Sequence, residues 1–292
     1  MTTENVYTNF LTRLKTIYEE REAANIADWV FENVTGLKKW ERRINKKNEL
    51  SENEFNHLQN SLEQLLQHKP VQYILQEAWF YKMKFFVNEN VLIPRPETEE
   101  LVEWIINDQN NATDSSEATL PTGRQVNIID IGTGSGCIAI ALKREIQNAN
   151  LSAVDASEKA LTVAKKNASD LKAEIDFMHF DFLNEKEWQH LPSFDIVVSN
   201  PPYIPIKEKE LLAKNVTKYE PGVALFVEDN DPFIFYKKIA VFSKTHLNTI
   251  GKIYVEVHEN SAREVKKIFE EAGFISEIKK DIYGKERMVQ AF

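Results

Sequence analysis

An α/β fold, an open and largely parallel sheet covered by helices, is predicted by three observations. From residue 126 onward, short apolar runs alternate with helical patterns. A glycine-rich turn joins the first run to a helix, and acidic or Asn-Pro residues close the runs that follow. Those closing residues fall at the carboxyl ends of strands, where open α/β sheets bind ligands. The first run, residues 126–131, passes through Gly132, Thr133, Gly134, Ser135 and Gly136 into an apolar helix beginning at Cys137. Glycines permit a tight turn and close approach to a ligand. The third glycine of the dinucleotide fingerprint would fall at Cys137. A nicotinamide cofactor therefore fits this spacing less well than S-adenosylmethionine (SAM), which brings no pyrophosphate.

The next strand ends at Asp155, placed to accept both ribose hydroxyls; it also reads as a helix N-cap for the segment at Ser157 and Glu158. Residues 175–178 precede Asp181 and Phe182, an acid that could receive an adenine amino group and a ring that could pack on the base. The fourth run, residues 194–199, leads into Asn200, Pro201, Pro202 and Tyr203. Two prolines fix φ near −65° and lack an N–H, so their carbonyls and the Asn side chain can form one rigid arc. A planar NH2 group could hydrogen-bond there through both protons, with Tyr203 as an aromatic face against it. The same four residues also read as a rigid turn after a buried strand. Taken in order, the motifs resemble a Rossmann-like class I SAM-dependent methyltransferase directed at an amino nitrogen.

Upstream, helices are expected from Tyr7 to Glu20, from Ala23 to Val34 with Gly36 ending it, and from a capping box at Ser51 and Glu54. Lys38, Lys39, Arg42, Arg43, Lys46 and Lys47 form a basic cluster, read either as a solvated face or as a contact for an acidic partner or ribosomal RNA. Residues 79–87 and 91–93 read as a hairpin turning at Asn88 to Asn90, and Pro94 to Glu100 as the opening of the next helix. Asn107 to Gln125 is polar and reads as a loop, and Leu211 to Val227 as irregular. A helix from Pro232, a strand from Lys252, a helix from Ser261 and two closing strands complete about seven strands. The predicted organisation is a small helical domain for substrate recognition (1–72), a β-hairpin linker (73–95) and a SAM-dependent methyltransferase domain (96–292).

Asn200 to Ile204, with Pro70 to Ile74, the Trp79-Phe80 hairpin, Leu92 to Glu100 and Tyr219 to Pro221, closely resemble the release-factor glutamine methyltransferases (PrmC, also called HemK). The resemblance runs from about Pro70 to the C-terminus. It implies methylation of the side-chain amide of the glutamine in the Gly-Gly-Gln loop of class I peptide chain release factors. It also implies that Gly132 to Gly136 form the SAM loop, that Asp155 takes the ribose with Phe182 beside the adenine, and that Asn200 to Tyr203 grip the glutamine; Asp181 and Asn200 complete the expected SAM site. Gln76 and Lys82 depart from the pattern, standing where the family often has glycine.

Composition agrees with that expectation. The chain has 292 residues, a net charge of −9 and one cysteine. No overall basic field favours polyanions, and one thiol excludes an intrachain disulfide or a multi-thiolate metal site. The polar start and the lack of a long apolar run lead us to expect a cytoplasmic protein without membrane spans. Adenine-N6 DNA methylation uses the same grip on a flipped base, but no groove-reading segment is evident, so no direct DNA binding is expected. A ribosomal-protein glutamine as acceptor, or a non-catalytic SAM-binding adaptor, remain alternatives.

Overall fold

The computed structural model describes residues 1–114 and 125–292. They divide into two units, Met1–Glu77 with Ala213–Tyr219, and Ala78–Leu212 with Glu220–Phe292.

The first unit is built from α1 (Thr3–Leu14), α2 (Glu20–Thr35), α3 (Lys39–Ile44), α4 (Glu52–Leu66) and α5 (Val71–Leu75). Residues at helical spacing turn inward: Val6, Phe10 and Leu14 from α1, Ala23, Ala27, Val30 and Phe31 from α2, and Leu58, Leu62 and Leu65 from α4. Gly36 ends α2 at φ 69°, a left-handed cap that glycine adopts without strain. Ser51 opens α4 in a reciprocal box, its Oγ accepting from the Glu54 N–H while the Glu54 carboxylate accepts from the Ser51 N–H at 2.7 Å. The first helix starts before Tyr7, because Thr2 caps it by accepting from the Asn5 N–H, and it stops at Leu14 instead of Glu20. Within the basic cluster Lys39, Arg42 and Arg43 lie on the short helix α3, and all of its basic residues except Arg42 are exposed. Arg42 is buried, its guanidinium 4.0 Å from the Tyr7 ring centre and paired with Asp28, which also takes Lys39 at 2.6 Å.

The second unit begins with a hairpin, β1 (Glu77–Phe80) and β2 (Met83–Phe86). Its turn lies at Tyr81 and Lys82 and not at the expected residues 88–90. Both turn residues have positive φ, 46° and 61°, as two-residue hairpin turns of type I′ require. Gln76, at φ 55°, and Lys82 are thus L-residues in conformations natural to glycine. Then follows α6 (Pro96–Asp114), which runs well into the stretch expected to be a loop; residues 115–124 of that stretch lie outside the described residues. Polarity misled there because one polar side chain is an anchor: the Asp108 carboxylate accepts from Lys252 (2.8 Å), Tyr254 (2.7 Å) and Gln290 (2.6 Å).

Next come β3 (Val126–Ile131), α7 (Cys137–Glu145), β4 (Ala149–Asp155), α8 (Glu158–Asp170), β5 (Ile175–His179) and β6 (Phe194–Ser199). Residues 204–227 carry β7 (Ile204–Pro205), short helical turns, α9 (Lys214–Tyr219) and β8 (Phe226–Val227), the last two within the stretch 211–227 expected to be irregular. The chain closes with α10 (Ile234–His246), β9 (Leu247–Glu256), α11 (Ala262–Glu271), β10 (Ser276–Lys280) and β11 (Glu286–Ala291). Seven of these strands form one sheet in the order β10-β11-β9-β6-β3-β4-β5, with β11 antiparallel to both neighbours and the other pairs parallel. Its central strands are buried along their length, as parallel strands covered on both faces must be.

Candidate active site at the carboxyl edge of the sheet

The chain runs from β3 outward through β4 and β5, then returns to lay β6 on the other side of β3. Ligands in open α/β sheets bind at such a reversal. Register puts the closing residues side by side. Ile131 pairs with Val154 and with Ser199, and Ser199 pairs with Val255. Gly132, Asp155, Asn200 and Glu256 are therefore the next residues of four neighbouring strands. A cavity of about 330 Å³ opens there, within the range of small-molecule sites.

Gly132, Gly134, Asp155, Asp181, Phe182, Asn200 and Pro202 line this cavity. Thr133, Ser135, Gly136, Pro201 and Tyr203 do not. Gly132 and Gly134 have φ of 75° and 56°, and a Cβ at either would meet nothing within 4 Å. Gly136, at φ 80°, answers a different need, since a Cβ there would lie 3.2 Å from the Ala164 Cβ and the Ile140 Cδ1. Thr133 is buried, its hydroxyl donating to Asp130 at 2.7 Å. Asn167 of α8, which sequence reasoning missed, donates to the carbonyls of Ser135 and Phe86, each at 2.9 Å, and accepts from the Phe86 N–H at 2.7 Å. The signal for it was one buried amide in an otherwise apolar helix stripe.

Asp155 is not the N-cap of α8, a place that Ser157 takes. Its two oxygens accept from the N–H groups of Gly134 (2.9 Å) and Ser157 (2.8 Å), while Ser157 itself caps α8 by accepting from the Ala160 N–H. Burial raises the Asp155 carboxyl above its ordinary value, and those two N–H groups oppose the rise. Asp130, behind the turn, is pushed up to about 7 by complete burial, against the Thr133 hydrogen bond, with the Asp155 charge adding to the rise. Burial also holds the Cys137 thiol at about 12, so it is no nucleophile at neutral pH.

Asp181 turns its carboxylate to the Leu183 N–H at 2.9 Å. Phe182 is almost fully buried, packing on Trp188 and Phe242 with ring centres 5.1 and 5.3 Å away. Phe180, Val91, Leu92 and Phe235, given no site role from sequence, add apolar wall. The segments at 91–93 and 220–224 reach the cavity together because buried Glu220 accepts from the Ile93 N–H at 3.3 Å and from Arg95 at 2.6 Å. On the other side Asn200 donates its Nδ2 to the Thr98 hydroxyl at 3.1 Å, and Thr98 donates to Glu256 at 2.6 Å. Tyr203 packs partly on the core, its hydroxyl donating to Glu256 at 3.4 Å.

This chemistry fits SAM. Glycine turns leave room where side chains would stand, a carboxylate at the next strand end has lone pairs left for hydroxyls, and aromatic walls suit a purine. With the strand order and the antiparallel β11, the fold and site define a class I SAM-dependent methyltransferase. A crystal structure of a methyltransferase from Pyrococcus furiosus shares this fold at a TM-score of 0.50 and 16% identity, over 80% of this chain and 97% of that one. Family models for the methyltransferase small domain and the PrmC N-terminal domain match residues 111–219 and 6–75. The release factor glutamine methyltransferase of Flavobacterium psychrophilum is 40% identical, over 99% of both chains. That of Lactococcus lactis is 38% identical, over 96% of this chain and 98% of the relative. The chain belongs to the release factor glutamine methyltransferase family. Among the described residues no helix is long and apolar enough to cross a membrane.

Proposed function

We propose that this chain methylates the side-chain amide nitrogen of the glutamine in the Gly-Gly-Gln motif of class I peptide chain release factors, in the cytoplasm. The observation that carries this reading is the emergence of Asn200 beside Gly132 and Asp155 on one cavity edge. SAM supplies an electrophilic methyl group on its sulfonium when bound. Gly132 and Gly134 leave open backbone for it, Asp155 accepts from its ribose hydroxyls, and Asp181 and Phe182 hold the adenine.

An amide nitrogen is a poor nucleophile because its lone pair is delocalised into the carbonyl. Asn200 Oδ1 and the Pro201 carbonyl accept its two protons, which raises electron density on nitrogen and fixes its direction. Those acceptors gain strength as positive charge develops there. The rigid prolines keep the arc in place before the acceptor arrives, so orientation costs little at the moment of reaction. The surplus proton leaves through the same acceptors to water.

The test is to incubate the protein with SAM and, separately, a class I release factor, a large-subunit ribosomal protein and adenine-containing duplex DNA, and to look for a methyl mass increment. A gain mapped to the Gly-Gly-Gln glutamine supports the proposal. A gain only on one of the other two substrates keeps the chemistry and replaces the acceptor.

A further inference from the structure

The grip assigned to Asn200 works only if the amide presents oxygen and not nitrogen to the acceptor. The two ends are nearly identical in shape, so packing alone does not choose between them. Hydrogen bonding does choose. The Thr98 hydroxyl carries one proton, and it lies 2.6 Å from Oε2 of Glu256, which as a carboxylate can only accept. With that proton committed, the hydroxyl oxygen is left as an acceptor, and the Asn200 group beside it at 3.1 Å must be the NH2. Oδ1 is then the end of the amide that Thr98 does not engage.

We propose that Thr98 and Glu256 are positioning residues that set the orientation of the Asn200 amide, so that its oxygen faces the acceptor nitrogen. Thr98 stands in the first turn of α6 and Glu256 ends β9, both almost fully buried. Neither lines the cavity, so their effect passes through Asn200. The inference rests on the reading of Asn200 as the acceptor grip.

Protonation of Glu256 reverses the chain of donors. A carboxylic acid donates to Thr98, the Thr98 proton turns to Asn200, and the amide is drawn round to offer NH2 to an NH2. Burial pushes Glu256 up to about 7, with Glu97 adding to the rise and Thr98, Arg287 and Tyr203 opposing it. The other titratable neighbours are Tyr236, which donates to the Glu256 backbone carbonyl at 3.0 Å, Cys137 on α7 and His258 against Tyr203. The activating form is the ionised one, so turnover falls as pH drops through about 7.

Thr98→Val removes the hydroxyl and keeps the shape; Thr98→Ser keeps the hydroxyl. With a class I release factor as substrate, the valine variant is expected to lose about 10–100-fold in kcat, by analogy with the loss of a partner that orients a metal ligand. Its SAM dissociation constant stays unchanged by calorimetry, and serine restores most of the rate. Glu256→Gln abolishes the acid limb of the pH profile. Equal rates for valine and wild type, equal losses for serine and valine, or an acid limb that survives in Glu256→Gln would each overturn the inference. A second readout is independent of the acceptor's identity. In 15N-asparagine-labelled protein, the side-chain NH2 signal lost in Asn200→Ala should exchange with solvent faster in Thr98→Val than in wild type. Unchanged exchange overturns the orientation claim. Failure of the wild type to methylate the release factor, with faster exchange in the variant, overturns the acceptor reading alone.

Discussion

Asn200 and Asp155 stand at the ends of the two strands that flank β3, yet their substitutions separate binding from turnover. Asn200→Ala removes one acceptor from the developing charge, and by analogy with loss of an oxyanion-hole contact should lower kcat by about 10²–10³-fold. SAM affinity should change far less, because Asp155 and the glycine turn remain. Full turnover in steady-state methyl transfer would refute the role given to Asn200. Asp155→Ala should act first on cofactor affinity. Losing hydrogen bonds to a charged acceptor costs about 1.5–3 kcal/mol, or roughly 10–100-fold in the SAM dissociation constant. An unaltered constant by calorimetry would contradict the ribose assignment. The same variant leaves the N–H groups of Gly134 and Ser157 without their acceptor, so a modest fall in Tm accompanies the weaker binding.

At the scale of the element, the three glycines between β3 and α7 serve separate purposes that spacing alone could not distinguish. Gly136 sits where α7 approaches α8, with Ala164 and Ile140 already 3.2 Å from the position of a Cβ. Gly136→Ala combines left-handed strain with this crowding and should destabilise the fold by about 1–3 kcal/mol, measured by urea denaturation. Gly134→Ala carries left-handed strain at φ 56° but meets no neighbour in the protein. It should therefore reduce SAM affinity more than it reduces stability, and the reverse ranking would disprove the assignment. In α6 the Asp108 anchor teaches a related point: Asn107 to Gln125 reads as loop by composition, but one carboxylate near its start, receiving three donors, ties α6 to β9 and β11.

At the scale of the whole molecule, two fully buried acids behave opposite to the surface carboxylates. Asp130 and Glu256 rise to about 7 from ordinary values of 3.8 and 4.5. Between those values and 7 the folded state retains protons that the unfolded chain has released. Stability should therefore decrease as pH rises through that window. Asp28 and Asp108, held low by their hydrogen-bonded partners once burial is overcome, act the other way, and their contribution is lost as pH falls below the ordinary carboxylate range. Tm by scanning calorimetry should thus be higher near pH 5 than near pH 8, and Asp130→Asn combined with Glu256→Gln should flatten the difference. A Tm that climbs from pH 5 to 8 would reject this account.

The sequence by itself determined the features that depend on neighbours along the chain. The run into Gly132 to Gly136, the acid after β4 and the Asn-Pro-Pro-Tyr turn after β6 were legible because apolar periodicity, glycine and proline act over a few residues. The capping box at Ser51 and the left-handed stop at Gly36 were legible for the same reason. The hairpin turn was misplaced because Tyr81 and Lys82 adopt positive φ without the glycine that normally signals it. Only the tertiary structure decided that the Tyr203 hydroxyl reaches Glu256, and that Glu220 gathers two distant segments into the cavity wall. Thr98 lies 102 positions from Asn200 and 158 from Glu256. Their meeting depends on the order in which strands pair across the sheet and on the helix laid over its edge. Local pattern names the strand ends, while strand order decides which of them share a hydrogen bond.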